Sequence, residues 1–209
     1  PGDLAAATAA GAFAGIRAAL RHLDGEVDWP SRRVVVQGLG GVGAQLTRRL
    51  KEVGATVIGT DIDVDRGRAV AAELGAEFVE PSDEVEVPCD VFAPCALGGM
   101  LHDVTIERLS TRVVAGAANN VLAKAHHADL LMARGVLFLP DFVTNAGALL
   151  RGALFHLEGR HMELAEIEQR IEGVCDDVLE RAAEEDEPPA RVAKRIADER
   201  IAARRAAHS

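Results

Sequence analysis

Residues 34–43 read VVVQGLGGVG, and AQLTRRL and then ATVIGTD follow. A β-branched run meets G-x-G-x-x-G at Gly38, Gly40 and Gly43, with Leu39, Gly41 and Val42 between them. A helical pattern begins inside the motif. A second apolar run ends at Asp61, 23 positions after Gly38, and Ile62 follows it. Each part has a physical job in a dinucleotide-binding strand–turn–helix–strand unit. Gly38 permits the tight turn, Gly40 lets the backbone approach a pyrophosphate, and Gly43 lets the helix pack close to its strand. The helix N-terminus offers free N–H groups and the positive end of a dipole to the phosphates. A carboxylate after the second strand hydrogen-bonds a ribose 2′-OH and repels a 2′-phosphate, so Asp61 favours NAD over NADP. Arg66 and Arg68 stand close behind; the alternative is that they hold a 2′-phosphate, but they are read first as residues of the exposed face of the next helix.

Working outward, residues 3–23 form a helical pattern with Asp3 as N-cap. Its many Ala and Gly residues admit close approach by another backbone or a ligand. Pro30 breaks the loop that follows. Strands are expected at 33–37, 55–60, 78–79, 90–93, 112–115 and 135–139. Helices are expected at 41–53, 64–74 and 125–134. The acidic stretch PSDEVEVP, residues 81–88, reads as a surface connection. From about Thr144 onward the pattern is helical, with amphipathic segments at 163–183 and 191–206 separated by the charged run EEDEPP. Strands alternating with helices predict an α/β fold, a Rossmann-type doubly wound, mostly parallel sheet with an N-terminal helix and a C-terminal helical extension. The expected division is 1–30 as N-terminal helix and loop, 31–158 as the dinucleotide-binding domain and 159–209 as C-terminal helices.

Three of the strands end in clusters of small and amide residues: PCALGGM at 94–100, GAANN at 116–120 and PDFVTNAG at 140–147. Ligands of open α/β sheets bind beyond the carboxyl ends of the strands. Small residues admit a flat ring, and Asn offers both donor and acceptor to a carboxamide. Any one cluster is equally well an ordinary turn; three on the edge that also carries G-x-G-x-x-G point to a nicotinamide site.

Composition narrows the alternatives. The net charge of −10 argues against a nucleic-acid surface or an anionic membrane, both of which select Lys/Arg clusters. No apolar run has the length of a membrane span. Cys89, Cys95 and Cys175 match no zinc spacing and are odd in number, which suggests a reducing cytoplasm. No general acid or base stands out. The seven histidines, His208 included, read as surface or cap residues, with His102-Asp103 the pair nearest a strand end. Cys95 reads as a small packing residue. The chain starts at Pro1 rather than Met, which reads as a piece of a longer protein.

Taken together, GDLAAATAAGAF, VVVQGLGGVGAQL, TDID, CDVFAPCALGGML, VVAGAANNVLA and ARGVLFLPDFVTNAGALL resemble the C-terminal, NAD-binding domain of the glutamate/leucine/phenylalanine/valine dehydrogenases. Within the family, the expectation from these blocks is the phenylalanine branch. The resemblance implies reversible oxidative deamination of an L-amino acid to a 2-oxo acid and ammonia. It implies that Thr8 touches the nicotinamide carboxamide, that Gly38 to Gly43 hold the pyrophosphate, and that Asp61 holds the adenosine ribose. It further implies that Ala96 and Leu97 line the cofactor cleft. Ala117, Ala118 and Asn119 would meet the nicotinamide ribose and ring, with Asn119 also reaching substrate. Asn145 and Ala146 would close the site, and the stretch Val143–Leu149 would shape its substrate side. The family's catalytic lysines and aspartate lie in a separate N-terminal domain, and nothing here matches them. The chain would thus be roughly the last three-fifths of a subunit that needs a catalytic domain as partner. Two other expectations stand beside this one: a stand-alone NAD-binding or redox-sensing module, and the cofactor subunit of a split or imine-reducing enzyme.

Overall fold

A computed structural model describes residues 2–207. Pro1, His208 and Ser209 lie outside the described residues, and with them the reading of His208. Six strands form one sheet: β1 (Arg33–Gln37), β2 (Thr56–Thr60), β3 (Glu77–Phe78), β4 (Cys89–Pro94), β5 (Thr111–Val114) and β6 (Leu137–Phe138). Their order is β3-β2-β1-β4-β5-β6, and every pairing is parallel. This is the doubly wound order, with its switch point between β1 and β4, where neighbouring strands lead away to opposite faces. The central strands β1 and β4 are buried on both faces, which is why they read as unbroken VVV and VFA runs.

Helices α1 (Leu4–Asp24), α2 (Gly41–Glu52) and α3 (Val64–Glu73) come first in the chain. Then α4 (Asp103–Arg108), α5 (His127–Ala133), α6 (Asp141–Thr144) and α7 (Gly147–Glu158) follow. The long α8 (Leu164–Glu185) and α9 (Pro189–Ala207) complete the chain. One core lies on the side of Val34 and Val36 and takes in α1, α2 and α8; a second, smaller one lies on the side of Val35, Ile58 and Phe92. The Asp3 carboxylate accepts the Ala6 N–H at 3.0 Å, so the expected cap starts α1.

The small residues of α1 are used for backbone approach. A Cβ at Gly11 would meet the Thr144 carbonyl oxygen and Ile171 of α8, and one at Gly15 would meet the Thr144 methyl. Ala7, Ala10, Ala14 and Ala18 are fully buried. α1 is a core helix wedged between α8, α2 and α7. Arg17 reaches Glu172 at 2.6 Å and Glu168 at 3.4 Å, Arg21 reaches Glu172 and Asp176, and Arg49 of α2 bonds Glu168. This network ties three helices that pattern alone leaves separate.

Two expectations change. The acidic connection 81–88 is not simply a surface strip: Glu84 and Val85 are buried in a 3-10 turn at Glu84–Glu86. Helix α8 runs two residues beyond Ala183, into the charged run, because Glu185 pairs with Arg181 and Arg195. Among the described residues no helix is long and apolar enough to cross a membrane.

Candidate functional site

The Gly-rich turn is built as its spacing demands. Gly38 has φ of 93°, a backbone that only glycine adopts freely. A Cβ on Gly43 would collide with the Gly38 carbonyl oxygen, so α2 can begin this close to β1 only without a side chain there. Gly40 caps α2, and no atom lies within 4 Å of where its Cβ would sit. That open approach to the first turn of a helix fits a diphosphate.

Asp61 at the end of β2 is only 4% exposed, yet it is ionised. Burial pushes its carboxyl up. The N–H groups of Asp63 and Leu39, at 3.0 and 2.8 Å, together with the Arg66 guanidinium at 2.6 Å, outweigh burial and hold it below the usual carboxylate range. Asp61 therefore locks the β2 end to the Gly-rich turn through Leu39, whose side chain points inward against Gly59. Arg66 is half exposed, as expected, but it also turns back onto Asp61.

A cavity of about 490 Å³ lies over this frame. Gly38, Gly40, Asp61, Ile62, Ala96 and Leu97 line it, all expected site residues. Ile62 and Leu97 are 88% and 79% exposed, two large apolar side chains held in water beside one cavity. The lining also includes Arg66, already weighed beside Asp61, and Gln37, Thr60, Pro81, Ser82 and Glu84, which motif reading missed. For Gln37 and Thr60 the available signal was their place at the ends of β1 and β2. Cys95 borders the cavity too; burial pushes its thiol up to about 12, so it stays protonated and is no nucleophile.

A second cavity, about 770 Å³, continues along the edge. Thr8, Val42, Ala117, Asn119, Asn145 and Ala146 line it, with Ala148 and Leu149 of the expected substrate-side stretch, and with Asn120, Asp141 and Phe142 as additions. Here the loops hold one another. The N–H groups of Ala117 and Ala118 both reach the Pro94 carbonyl, at 2.8 and 2.9 Å. Gly99 N–H reaches the Asn120 carbonyl at 2.7 Å, and Gly98 has no room for a Cβ against the same backbone. Thr144, fully buried, donates its hydroxyl to the Gly116 carbonyl at 2.7 Å. At the mouth, Asn145 Nδ2 donates to Asn119 Oδ1 at 2.8 Å. The Thr8 hydroxyl donates back to the Leu4 carbonyl.

Five expected residues lie apart from both cavities, the first of them Leu39, which is buried against Gly59. Gly41 and Gly43 sit within the first turn of α2. Ala118 packs into the smaller core, and Val143 points into the larger one, away from the substrate side assigned to it. The reason is the short α6: its inward face meets α1 and α8 and takes Val143 with it, leaving Phe142 on the cavity.

The ligand atoms of Asp103, His126 and His127 lie within 4.8 Å of one another. They do not fit a metal. The Lys124 N–H donates to His127 Nδ1 at 3.0 Å, so the proton of the neutral ring sits on Nε2, which faces Asp103 at 3.6 Å. No lone pair is left there for an ion. His102 starts α4, its N–H bonded to Thr105 Oγ1.

The family model for glutamate/leucine/phenylalanine/valine dehydrogenases matches residues 61–208. The chain belongs to this family. It is 39% identical to a leucine dehydrogenase of Thermoactinomyces intermedius, over 96% of this chain and 55% of that protein. It is 37% identical to a phenylalanine dehydrogenase of the same organism, with the same coverage. The crystal structure of L-tryptophan dehydrogenase from Nostoc punctiforme superposes with a TM-score of 0.88 at 34% identity, over 94% of this chain and 59% of that one. This family member thus spans a little over half the length of the curated relatives it matches. The family is one of NAD(P)-dependent amino-acid dehydrogenases with a Rossmann-type fold.

Proposed function

We propose that this chain is the cofactor-binding half of an NAD-dependent dehydrogenase that oxidatively deaminates an L-amino acid to a 2-oxo acid and ammonia, reversibly. The observation that carries this is one sheet edge: Asp61, the Gly-rich turn and the 96–97 shelf line one cavity on it, and the Asn119–Asn145 pair lines the other. The α2 N-terminus would take the diphosphate and Asp61 the ribose hydroxyls. An ionised Asp61 supports NAD, because a 2′-phosphate would meet a negative charge. Arg66, the cation that lines this cavity among the described residues, is already committed to Asp61 and so is not free for a 2′-phosphate.

Bound NAD supplies a hydride acceptor at C4 of the nicotinamide. The chain's own residues bind and orient. Asn119 and Asn145 fix one another and leave amide donors and acceptors for the carboxamide and the substrate. Val42, Ala117 and Ala146 keep the ring site shallow and small-walled. Phe142 and Leu149, about half and three-quarters exposed, supply apolar surface on the substrate side. No lysine lines either cavity among the described residues. The groups that activate water and move the proton would come from a catalytic domain outside this sequence, which the partial coverage of the relatives supports. In this division residues 31–158 carry the cofactor frame, with Thr8 of 1–30 at its far end and 159–209 bracing it. Three free thiols support a cytoplasmic setting.

The test is direct. The isolated chain should bind NAD by calorimetry and NADP at least about tenfold more weakly. The full-length protein should reduce NAD with an apolar L-amino acid. Full-length protein that binds NAD yet reduces none with aliphatic or aromatic L-amino acids would return the chain to a binding or redox-sensing module.

A further inference from the structure

Glu84 is an acid that the cofactor frame does not explain. It is only 6% exposed, and its Oε1 accepts the Gln37 Nε2–H at 3.1 Å. Its Oε2 is buried with no hydrogen-bond partner. The bond to Glu84 orients the Gln37 amide, since a flipped amide would set oxygen against a carboxylate oxygen. Gln37 Oε1 is thereby left as a second buried acceptor with no partner. Gln37 and Thr60 are register partners at the ends of β1 and β2, so both side chains emerge on one face of the sheet. Thr60 Oγ1 is buried and unpartnered as well. All three residues line the cavity between Ile62 and Leu97. A buried acceptor without a donor is costly, and two on hydrogen-bonded residues that line one cavity call for a ligand donor.

We propose that the Glu84–Gln37 floor reads the base of the dinucleotide by taking the 6-amino group of adenine. This rests on the dinucleotide assignment above. An amino group offers two N–H donors, one for each free acceptor. A 6-oxo group, as in hypoxanthine or guanine, brings lone pairs against a carboxylate oxygen. A phosphate at this floor is excluded by the same charge. The Thr60 hydroxyl rotates and adapts to either partner. Glu84 and Gln37 are thus specificity-determining residues at the end of the site remote from the reacting carbons.

The experiment compares NAD with nicotinamide hypoxanthine dinucleotide, which presents a 6-oxo group in place of the amine. Calorimetric titration of this chain should give binding of NAD at least about tenfold tighter, the scale of one buried unpaired acceptor. In Glu84→Gln the new amide donates to an oxo group, so the ratio should fall to within about twofold or invert, with the melting temperature recorded alongside. Equal affinities in the parent chain, or an unchanged ratio in a folded Glu84→Gln, would overturn the base-reading role while leaving NAD binding intact. If Glu84→Gln does not fold, the parent ratio decides alone. Absence of binding to either dinucleotide would instead overturn the cofactor assignment on which the proposal stands.

Discussion

The two ends of the sheet edge are held in different ways. On the glycine side the frame is closed on itself: Asp61 takes two backbone N–H groups and a guanidinium, and Gly43 sits against the Gly38 carbonyl. On the asparagine side the loops are bonded behind the cavity, through Pro94, Gly116 and Asn120, while the Asn119–Asn145 pair and the Val121 N–H on the Asp141 carboxylate join the two rim loops. The cavity is larger there and its rim holds Phe142 and Leu149 in water. The contrast fits a division of labour. A preformed cradle suits a constant group such as a diphosphate. An open, adjustable rim suits the place where a second body and a variable side chain must meet.

The largest expected effect breaks the closed side. Gly43→Val drives side-chain atoms into the Gly38 carbonyl, so the melting temperature should drop by about 8 °C or more, the scale of ~3 kcal/mol in a chain this long. A variant that melts within 2 °C of the parent (roughly 0.5–1 kcal/mol on the same scale) would show that the close approach is not structural. Next, Thr144→Val removes the hydroxyl that satisfies the buried Gly116 carbonyl. It should cost about 1–3 kcal/mol in denaturant unfolding, and no loss would mean that the asparagine side is braced elsewhere.

Asp61→Asn should weaken NAD and ADP-ribose alike, by about tenfold, since both carry the adenosine ribose. It also has a pH signature. The folded pKa of Asp61 is lowered, so its contribution is fully present above the ordinary carboxylate value, ~4, and is lost as pH falls through the folded value. The parent should therefore lose stability below about pH 4 more steeply than Asp61→Asn. Parallel acid limbs in the two proteins would remove Asp61 from the account. The smallest effect separates the halves: Asn119→Ala should weaken NAD by about threefold to fivefold and leave ADP-ribose unchanged, because one exposed amide contact is lost. Equal loss for both ligands would place Asn119 in the scaffold rather than at the ring.

Much of the closed side was legible in residue order. G-x-G-x-x-G, the strand before it and Asp61 after it are all local, and each was placed where its spacing implied. The first two strands and their helices were legible to within a residue or so. The open side was legible only as three clusters of turn residues. Which member of PDFVTNAG faces the cavity depends on how α6 packs against α1 and α8; Phe142 and Val143 are neighbours with opposite fates. Glu84 was hidden for a similar reason. In an acidic stretch it looks solvated, and only its contact with Gln37, 47 positions away, makes it part of a floor.

The fold class, the Gly-rich turn at the start of α2 and the place of Asp61 after β2 were thus determined by short-range pattern, because turn geometry and helix starts depend on a few adjacent residues. The burial of α1 beneath α8, the inward turn of Val143, the Asn119–Asn145 pair and the acidic floor were decided by tertiary packing. They join segments tens to more than a hundred residues apart, and no local preference of either partner specifies such a meeting.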